Sequence, residues 1–204
     1  MIAFMDRVNR LYLVRHGQVV GHNGFVANGH TDVDITNVGK EQMESLAERL
    51  RFACIGIIYS SDLKRTKIGA RIIGKHHDAC HSILPELREL YFGDWEGLPL
   101  SKIRQDYPGE LEKRQGDIAN YRPPGSGESL LDLSARVLSR LRRIFKEQKG
   151  KDILIVAHGA VNRVILCDAL GLELAKVFNI QQDYGCLNVI DYYPDTRLVR
   201  LING

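Results

Sequence analysis

Short apolar runs alternate with longer segments of helical period along this chain. Tyr12–Val14 reads as the core of a first short strand, and Ile55–Tyr59 and Ile153–Ala157 are apolar runs of strand length. Thr36–Arg51 carries Met43, Leu46, Ala47 and Leu50 on one helical face. Leu63–Lys75 returns to that period through Leu63, Thr66, Ala70 and Ile73. The clearest amphipathic pattern is Ser129–Gln148, whose inner stripe is Leu130, Leu133, Val137, Leu138, Leu141, Ile144 and Phe145. Arg136, Arg140 and Arg143 fall mostly outside that stripe and read as a solvated basic face. Gly159–Leu170 predicts a further helix. Cys186–Tyr192 and Leu198–Ile202 read as late strands joined by a turn around Pro194–Asp195.

Strands followed by helices predict a three-layer α/β/α sandwich: a mostly parallel central sheet with helices on both faces and a hairpin at one edge. Leu98–Glu128 breaks the rhythm, because Pro99, Pro108, Pro123 and Pro124 leave room only for short helices. It reads as a cap-like insertion, at about 98–128, within a single domain spanning 1–204.

Composition narrows the function classes. Hydrophobic residues at 44% and charged residues at 26% exclude disorder and coiled coil. No apolar run approaches the ~20 residues of a membrane span. A net charge of +3 is too mild to argue for nucleic acid. Met1–Met5 is cut at once by Asp6 and Arg7, unlike a signal peptide. Cys54, Cys80, Cys167 and Cys186 form no C-x-x-C pair, which predicts free thiols in a reducing cytoplasm.

Ligands of open α/β sheets bind beyond the carboxyl ends of the strands. The first strand runs into Arg15-His16-Gly17, the second into Ser60-Ser61-Asp62-Leu63-Lys64-Arg65, and a later one into His158-Gly159. Two histidines and two arginines thus reach one sheet edge from three remote stretches of chain. Arg65 falls in a helix's first turn, where a cation sits poorly unless an anion lies between it and the helix N-terminus. Arginine offers a planar fork for phosphate oxygens, and a neutral imidazole nitrogen is a competent nucleophile near pH 7. A second histidine could donate to the same phosphoryl group. Phosphoryl transfer needs in-line positioning and neutralised equatorial oxygens, which these groups supply without a metal. A leaving alkoxide needs a proton, and Glu89 in Leu87–Gly97 offers a carboxylic acid. A phosphate dianion beside it would favour its neutral form. Asp94 and Glu96 read as exposed loop carboxylates.

Leu11–Gly17 (LYLVRHG), Tyr59–Arg65 (YSSDLKR), Leu87–Gly97 (LRELYFGDWEG) and Ile155–Gly159 (IVAHG), in this order, resemble the signature blocks of the histidine phosphatase superfamily. Gly127-Glu128-Ser129 adds to the likeness. The resemblance implies that His16 is the nucleophile that becomes phosphohistidine. It makes Arg15, Arg65 and His158 ligands of the transferred phosphoryl group, and Glu89 the acid and then the base. It adds Asn28, Gly29 and the Gly159 amide as phosphate contacts. The family's Ser or Thr three residues after the nucleophile is Val19 here. The family's Asn six after is His22, with Asn23 next along, and either could take the Asn role.

The chain is short and its insertion holds few arginines (Arg104, Arg114, Arg122), which favours a phosphomonoesterase over cofactor-dependent phosphoglycerate mutase-type transfer. Leu87–Gly97 looks most like the branch of α-ribazole-5′-phosphate phosphatases and small broad-specificity phosphatases. The expected ligands are a small phosphorylated metabolite, with α-ribazole 5′-phosphate a candidate, and inorganic phosphate as product or inhibitor. No cofactor, metal, nucleic acid or membrane is implied. Tyr91, Tyr107 and Tyr121 are candidate pocket walls, whereas Phe92 and Trp95 read rather as core.

Other readings compete. Asp32-Val33-Asp34-Ile35-Thr36 matches the D-x-D-x-T of magnesium-dependent phosphatases, but polar Ala27–Thr31 precedes it instead of a buried strand, and Thr36 reads as a helix cap. No cysteine is followed by Arg in a C-x5-R spacing, and no Walker loop occurs. His76–His81 has ligand-like spacing but reads as a solvated loop. A catalytically inactive phosphoester- or protein-binding module would be expected to lack one of Arg15, His16, Arg65, Glu89 and His158, and all are present.

Overall fold

The computed structural model describes residues 6–22 and 24–204. Asn23 and Met1–Met5, on which two of the readings above fall, lie outside the described residues. The chain runs β1 (Asn9–Arg15), α1 (Asn37–Leu50), β2 (Ile55–Ser60), α2 (Lys64–Gly74), β3 (Cys80–Ile83), α3 (Leu100–Asp106), α4 (Glu110–Gly116), α5 (Leu130–Glu147), β4 (Asp152–Ala157), α6 (Gly159–Leu170), β5 (Leu187–Tyr192) and β6 (Arg197–Leu201).

The strands form one sheet in the order β3-β2-β4-β1-β5-β6. The first four in that order are parallel; β5 runs antiparallel to β1, and β6 antiparallel to β5. Side chains alternate across the sheet with period two. Leu11, Leu13, Ile153 and Ile155 join the core that holds Leu133, Val137 and Leu141 of α5 and Val161 and Ile165 of α6. Tyr12, Val14, Leu154 and Val156 face the core built by Met43 and Leu46 of α1 and Ala70 and Ile73 of α2. Strand β4 lies between β1 and β2, so both its faces are covered, and Ile153–Ala157 is fully buried. This is the three-layer arrangement expected from the hydrophobic pattern.

Local signals set the helix ends. Thr36 caps α1 by accepting from the Gly39 amide at 3.0 Å. Ser129 and Asp132 close a reciprocal capping box on α5. Proline punctuation does limit 98–128 to the short helices α3 and α4. Edge strand β3 begins at Cys80, inside the stretch read as a solvated loop. It splits the histidine cluster: His76 meets Glu48 at 3.0 Å, while His81 meets Ser60 Oγ at 2.8 Å. No cluster of three or more His, Cys, Asp or Glu side chains positioned to hold a metal occurs among the described residues. No helix among them is long and apolar enough to cross a membrane.

Candidate active site

Arg15 ends β1 in register with Ala157 of β4, and the His16 amide donates to the Ala157 carbonyl at 3.1 Å. The next residue of each strand is therefore a histidine beside a histidine. The rings of His16 and His158 cross at 66° with centroids 5.2 Å apart. Both are buried. His16 Nδ1 lies 2.8 Å from the Gly17 carbonyl, which assigns the proton to Nδ1 and leaves the Nε2 lone pair available. Burial first, then the Arg65 and Arg15 charges, push the His16 pKa well below the usual histidine range. Burial, again followed by Arg65, does the same to His158. Two neutral imidazoles thus lie beside two permanent cations.

Arg65 is fully buried and its fork is almost fully used. Its Nη1 donates to the Thr31 carbonyl at 2.8 Å. Its Nη2 donates to the carbonyls of Gly29 at 2.7 Å and Asn28 at 3.1 Å, and its Nε donates to His158 Nδ1 at 3.3 Å. Asp32 accepts from the Lys64 amide at 2.7 Å, at the N-terminus of α2, and Asp34 accepts from the neighbouring Ile35 amide at 2.8 Å, so both acids of the D-x-D-x-T match are held by main-chain amides. His158 Nε2 meets Ser61 Oγ at 2.8 Å, and Ser61 meets Thr66 Oγ1 at 2.7 Å. With Nδ1 accepting from Arg65, the Nε2 proton of the resting ring is directed to the Ser61 hydroxyl.

Arg15 donates from Nη1 to the Gln182 carbonyl at 2.5 Å and lies 4.0 Å above the Tyr184 ring. Gln182 is held by reciprocal amide bonds with Asn188 at 2.8 and 2.9 Å. The Glu89 carboxylate accepts from the Ala160 amide at 3.1 Å and the Leu90 amide at 2.9 Å.

Two residues read as solvated prove structural at this site. Arg136 pairs with Glu128 through Nε and Nη2 at 2.7 and 2.8 Å, and donates to the carbonyls of Glu86, Arg88 and Glu89 at 2.8, 2.9 and 2.9 Å. Glu96 accepts from the amides of His30, Phe92 and Thr31 at 3.0, 3.0 and 2.8 Å, which ties the 28–31 loop to the Glu89 block. Helical periodicity places Arg136 outside the apolar stripe, but it does not show which remote carbonyls a long side chain reaches. Asp94 is exposed, as expected.

A cleft of about 370 Å³ is lined by Arg15, His16, His22, Asn28, Arg65, Glu89 and Gly159 of the expected set. Val19 also lines it, where the family pattern has a hydroxyl. His158 is buried, touching Arg65 and the His16 ring. Gly29 does not line the cleft. It is the residue that lets the loop pass Leu90, since a Cβ there would fall 2.1 Å from the Leu90 carbonyl oxygen. Tyr107 and Tyr121 are not walls; they pack on buried Trp95 with centroids at 6.4 and 5.7 Å. Tyr91 does not line the cleft and lies 5.0 Å from His30, whereas Phe92, read rather as core, is buried and lines it. Unforeseen lining residues are Phe25, Arg114, Leu130, Arg163, Phe178 and Tyr184. Only Arg114 carried a signal, as one of the few arginines of the insertion. The assembly offers a neutral imidazole nucleophile, fixed cations around it and a carboxyl group on the same cleft.

The family described as "Histidine phosphatase superfamily (branch 1)" matches residues 11–204. The adenosylcobalamin/α-ribazole phosphatase of Escherichia coli K12 is 27% identical over 195 residues, covering 96% of each chain. The metal-independent phosphoserine phosphatase of Arabidopsis thaliana is 32% identical over 163 residues, covering 78% of this chain and 68% of its own. The α-ribazole phosphatase of Shigella flexneri superposes with a TM-score of 0.87 at 27% identity over 96% of each chain.

Proposed function

Because the chain belongs to the histidine phosphatase superfamily, we propose that it hydrolyses a small phosphomonoester, without a metal, through a phosphohistidine on His16. The observation that carries this reading is the crossing of the neutral His16 and His158 rings beside Arg65, with Glu89 on the same cleft. His16 Nε2 attacks phosphorus and forms an N–P bond as the P–O bond to the leaving alcohol breaks. Glu89 gives that oxygen a proton. The resulting carboxylate takes a proton from water, the water oxygen bonds to phosphorus, and the N–P bond breaks to release inorganic phosphate. Arg15 and Arg65 neutralise the equatorial oxygens throughout, the service a metal gives elsewhere. His158 orients Arg65 and fills the space under the nucleophile. Asn28, His22 and Gly159 border the leaving side, with Arg114 of α4 lining the same cleft.

The names of the relatives put α-ribazole 5′-phosphate and phosphoserine on the substrate panel. The four unpaired cysteines fit a cytoplasmic enzyme. The test is labelling with a ³²P-labelled monoester quenched in alkaline detergent, alongside p-nitrophenyl phosphate turnover in chelator. An acid-labile, base-stable adduct on His16 and undiminished turnover are expected. Absence of the adduct in wild type, or its persistence in His16→Ala, would overturn the mechanism. Loss of turnover in chelator would overturn metal independence, and mutase products are assayed in the same runs.

A further inference from the structure

Arg114 and Arg163 line the cleft together with Arg15 and Arg65, while Glu89 is its one lining carboxylate among the described residues. None of these four arginines joins an ion pair among the described residues, although nine others do. A transferred phosphoryl group brings a charge of about −2 at most. Arg15 and Arg65 beside His16 suffice for that, which leaves Arg114 and Arg163 uncompensated.

Their placement follows a line out of the cleft. A Cβ added to Gly159 would lie 3.5 Å from Arg15 Nε and 3.1 Å from Arg163 Nη1, so the space over Gly159 faces both guanidinium groups. Arg163 is tethered by Nε to the Ile180 carbonyl at 2.8 Å, and its two terminal nitrogens make no protein hydrogen bond among the described residues. Its Cζ lies 5.7 Å from the Phe178 ring centroid, and Arg114 Cζ lies 5.3 Å from the same centroid. Phe178 remains 47% exposed between them. Burial pushes both guanidinium pKa values down, and the Arg15 charge adds to this at Arg163. Desolvated cations without partners are costly unless the ligand brings the counter-charge.

We propose that Arg163 and Arg114 form a second anion subsite, so that the preferred substrate is a phosphomonoester whose leaving alcohol carries its own carboxylate or phosphate. This rests on the phosphomonoesterase reading above and narrows its substrate class. The exposed Phe178 face supports the hydrocarbon between the two anions. An uncharged leaving group such as a nucleoside leaves both guanidinium groups unmatched.

The test compares 3-phosphoglycerate with glycerol 3-phosphate, which differ by the carboxylate, and adds a short alkanediol bisphosphate for a second phosphate. Wild type should favour the dianionic-plus-anionic esters in kcat/KM by about tenfold or more, the worth of a charge-assisted hydrogen bond. Arg114→Gln and Arg163→Gln should each bring that ratio toward one. Preference for only one of the two anionic esters identifies the second anion as carboxylate or phosphate. The same pairs are titrated calorimetrically onto His16→Ala, so the subsite is read even where turnover is not. A ratio near one in wild type by both measurements, or one that neither substitution moves, overturns the subsite. A missing phosphohistidine with an arginine-dependent binding ratio overturns only the mechanism.

Discussion

Arg65 donates from Nε to Nδ1 of His158 at 3.3 Å, and this contact decides which way the second histidine's proton points. With Nδ1 accepting, the proton is on Nε2, 2.8 Å from Ser61 Oγ. The ring then supports Arg65 from behind. We expect ¹⁵N spectra of the resting enzyme to show His158 as the Nε2–H tautomer. Ser61→Ala leaves that N–H unpaired in a fully buried place, so it should cost about 1–3 kcal/mol of stability. A resting Nδ1–H tautomer, or a silent Ser61→Ala, would remove His158 from this role.

The two buried imidazoles also set a pH dependence. Their native pKa values are pushed down by burial and by nearby arginines, while an unfolded histidine titrates near about 6.5. Below that pH the unfolded chain binds protons that the native state refuses, so stability falls as pH drops through about 6.5, and neither ring alters it above. Ring ¹⁵N signals of both should remain those of neutral imidazole at pH 6. Imidazolium signals there would contradict the site's electrostatics.

Glu89 is held by main-chain amides of Ala160 and Leu90, contacts that an amide oxygen can also accept. Glu89→Gln should therefore keep the fold and lose only the proton. Turnover of alkyl phosphates should fall by roughly 10²–10⁴-fold, and that of p-nitrophenyl phosphate far less, because p-nitrophenolate leaves without protonation. A uniform loss across leaving groups would contradict a general acid.

Periodicity fixed most of the architecture, because burial imposes period two on strands and 3.6 on helices. The chemistry of Arg15, His16, Arg65, Glu89 and His158 was legible for a related reason: each lies within or directly after a recognisable apolar block. What escaped were contacts whose partners are backbone carbonyls or residues remote in sequence. Gly29 reads as a ligand contact, yet it lies off the cleft, and its carbonyl and that of cleft-lining Asn28 serve Arg65. Tyr107 and Tyr121 read as pocket walls because aromatics on an insertion carry no sign of facing inward, and buried Trp95 claims them. The start of strand β3 reads as loop because its Cys-His-Ser-Ile pattern is mostly exposed at the sheet edge.

With Glu89 as the proposed acid, Arg136 is a positioning residue for it. It gathers the carbonyls of Glu86, Arg88 and Glu89 while its charge is met by Glu128, so the loop carrying Glu89 hangs on one guanidinium fork. Arg136→Lys cannot bridge three carbonyls and a carboxylate at once. We expect kcat for alkyl phosphates to fall by about tenfold or more with KM little changed, and the leaving-group dependence to steepen as in Glu89→Gln. A change in KM alone, with unaltered leaving-group dependence, would mark Arg136 as merely structural.

Arg65 faces the reverse division of labour in the proposed mechanism, since the guanidinium that would meet substrate also builds the loop beneath it. Three carbonyls of residues 28–31 and one imidazole nitrogen accept from it, and the group is 1% exposed. A lysine at 65 keeps the charge but offers a single nitrogen, so it can serve the phosphoryl group or the loop, not both. Arg65→Lys should weaken competitive inhibition by inorganic phosphate by about tenfold or more. It should also speed hydrogen exchange at the amides of His30 and Thr31, which Glu96 holds in the same loop. Weaker inhibition with unchanged exchange would mean that Arg65 acts on phosphate alone. Faster exchange with unchanged inhibition would mean that the cleft takes its phosphoryl charge from Arg15, and the mechanism would then have to be rebuilt around that residue.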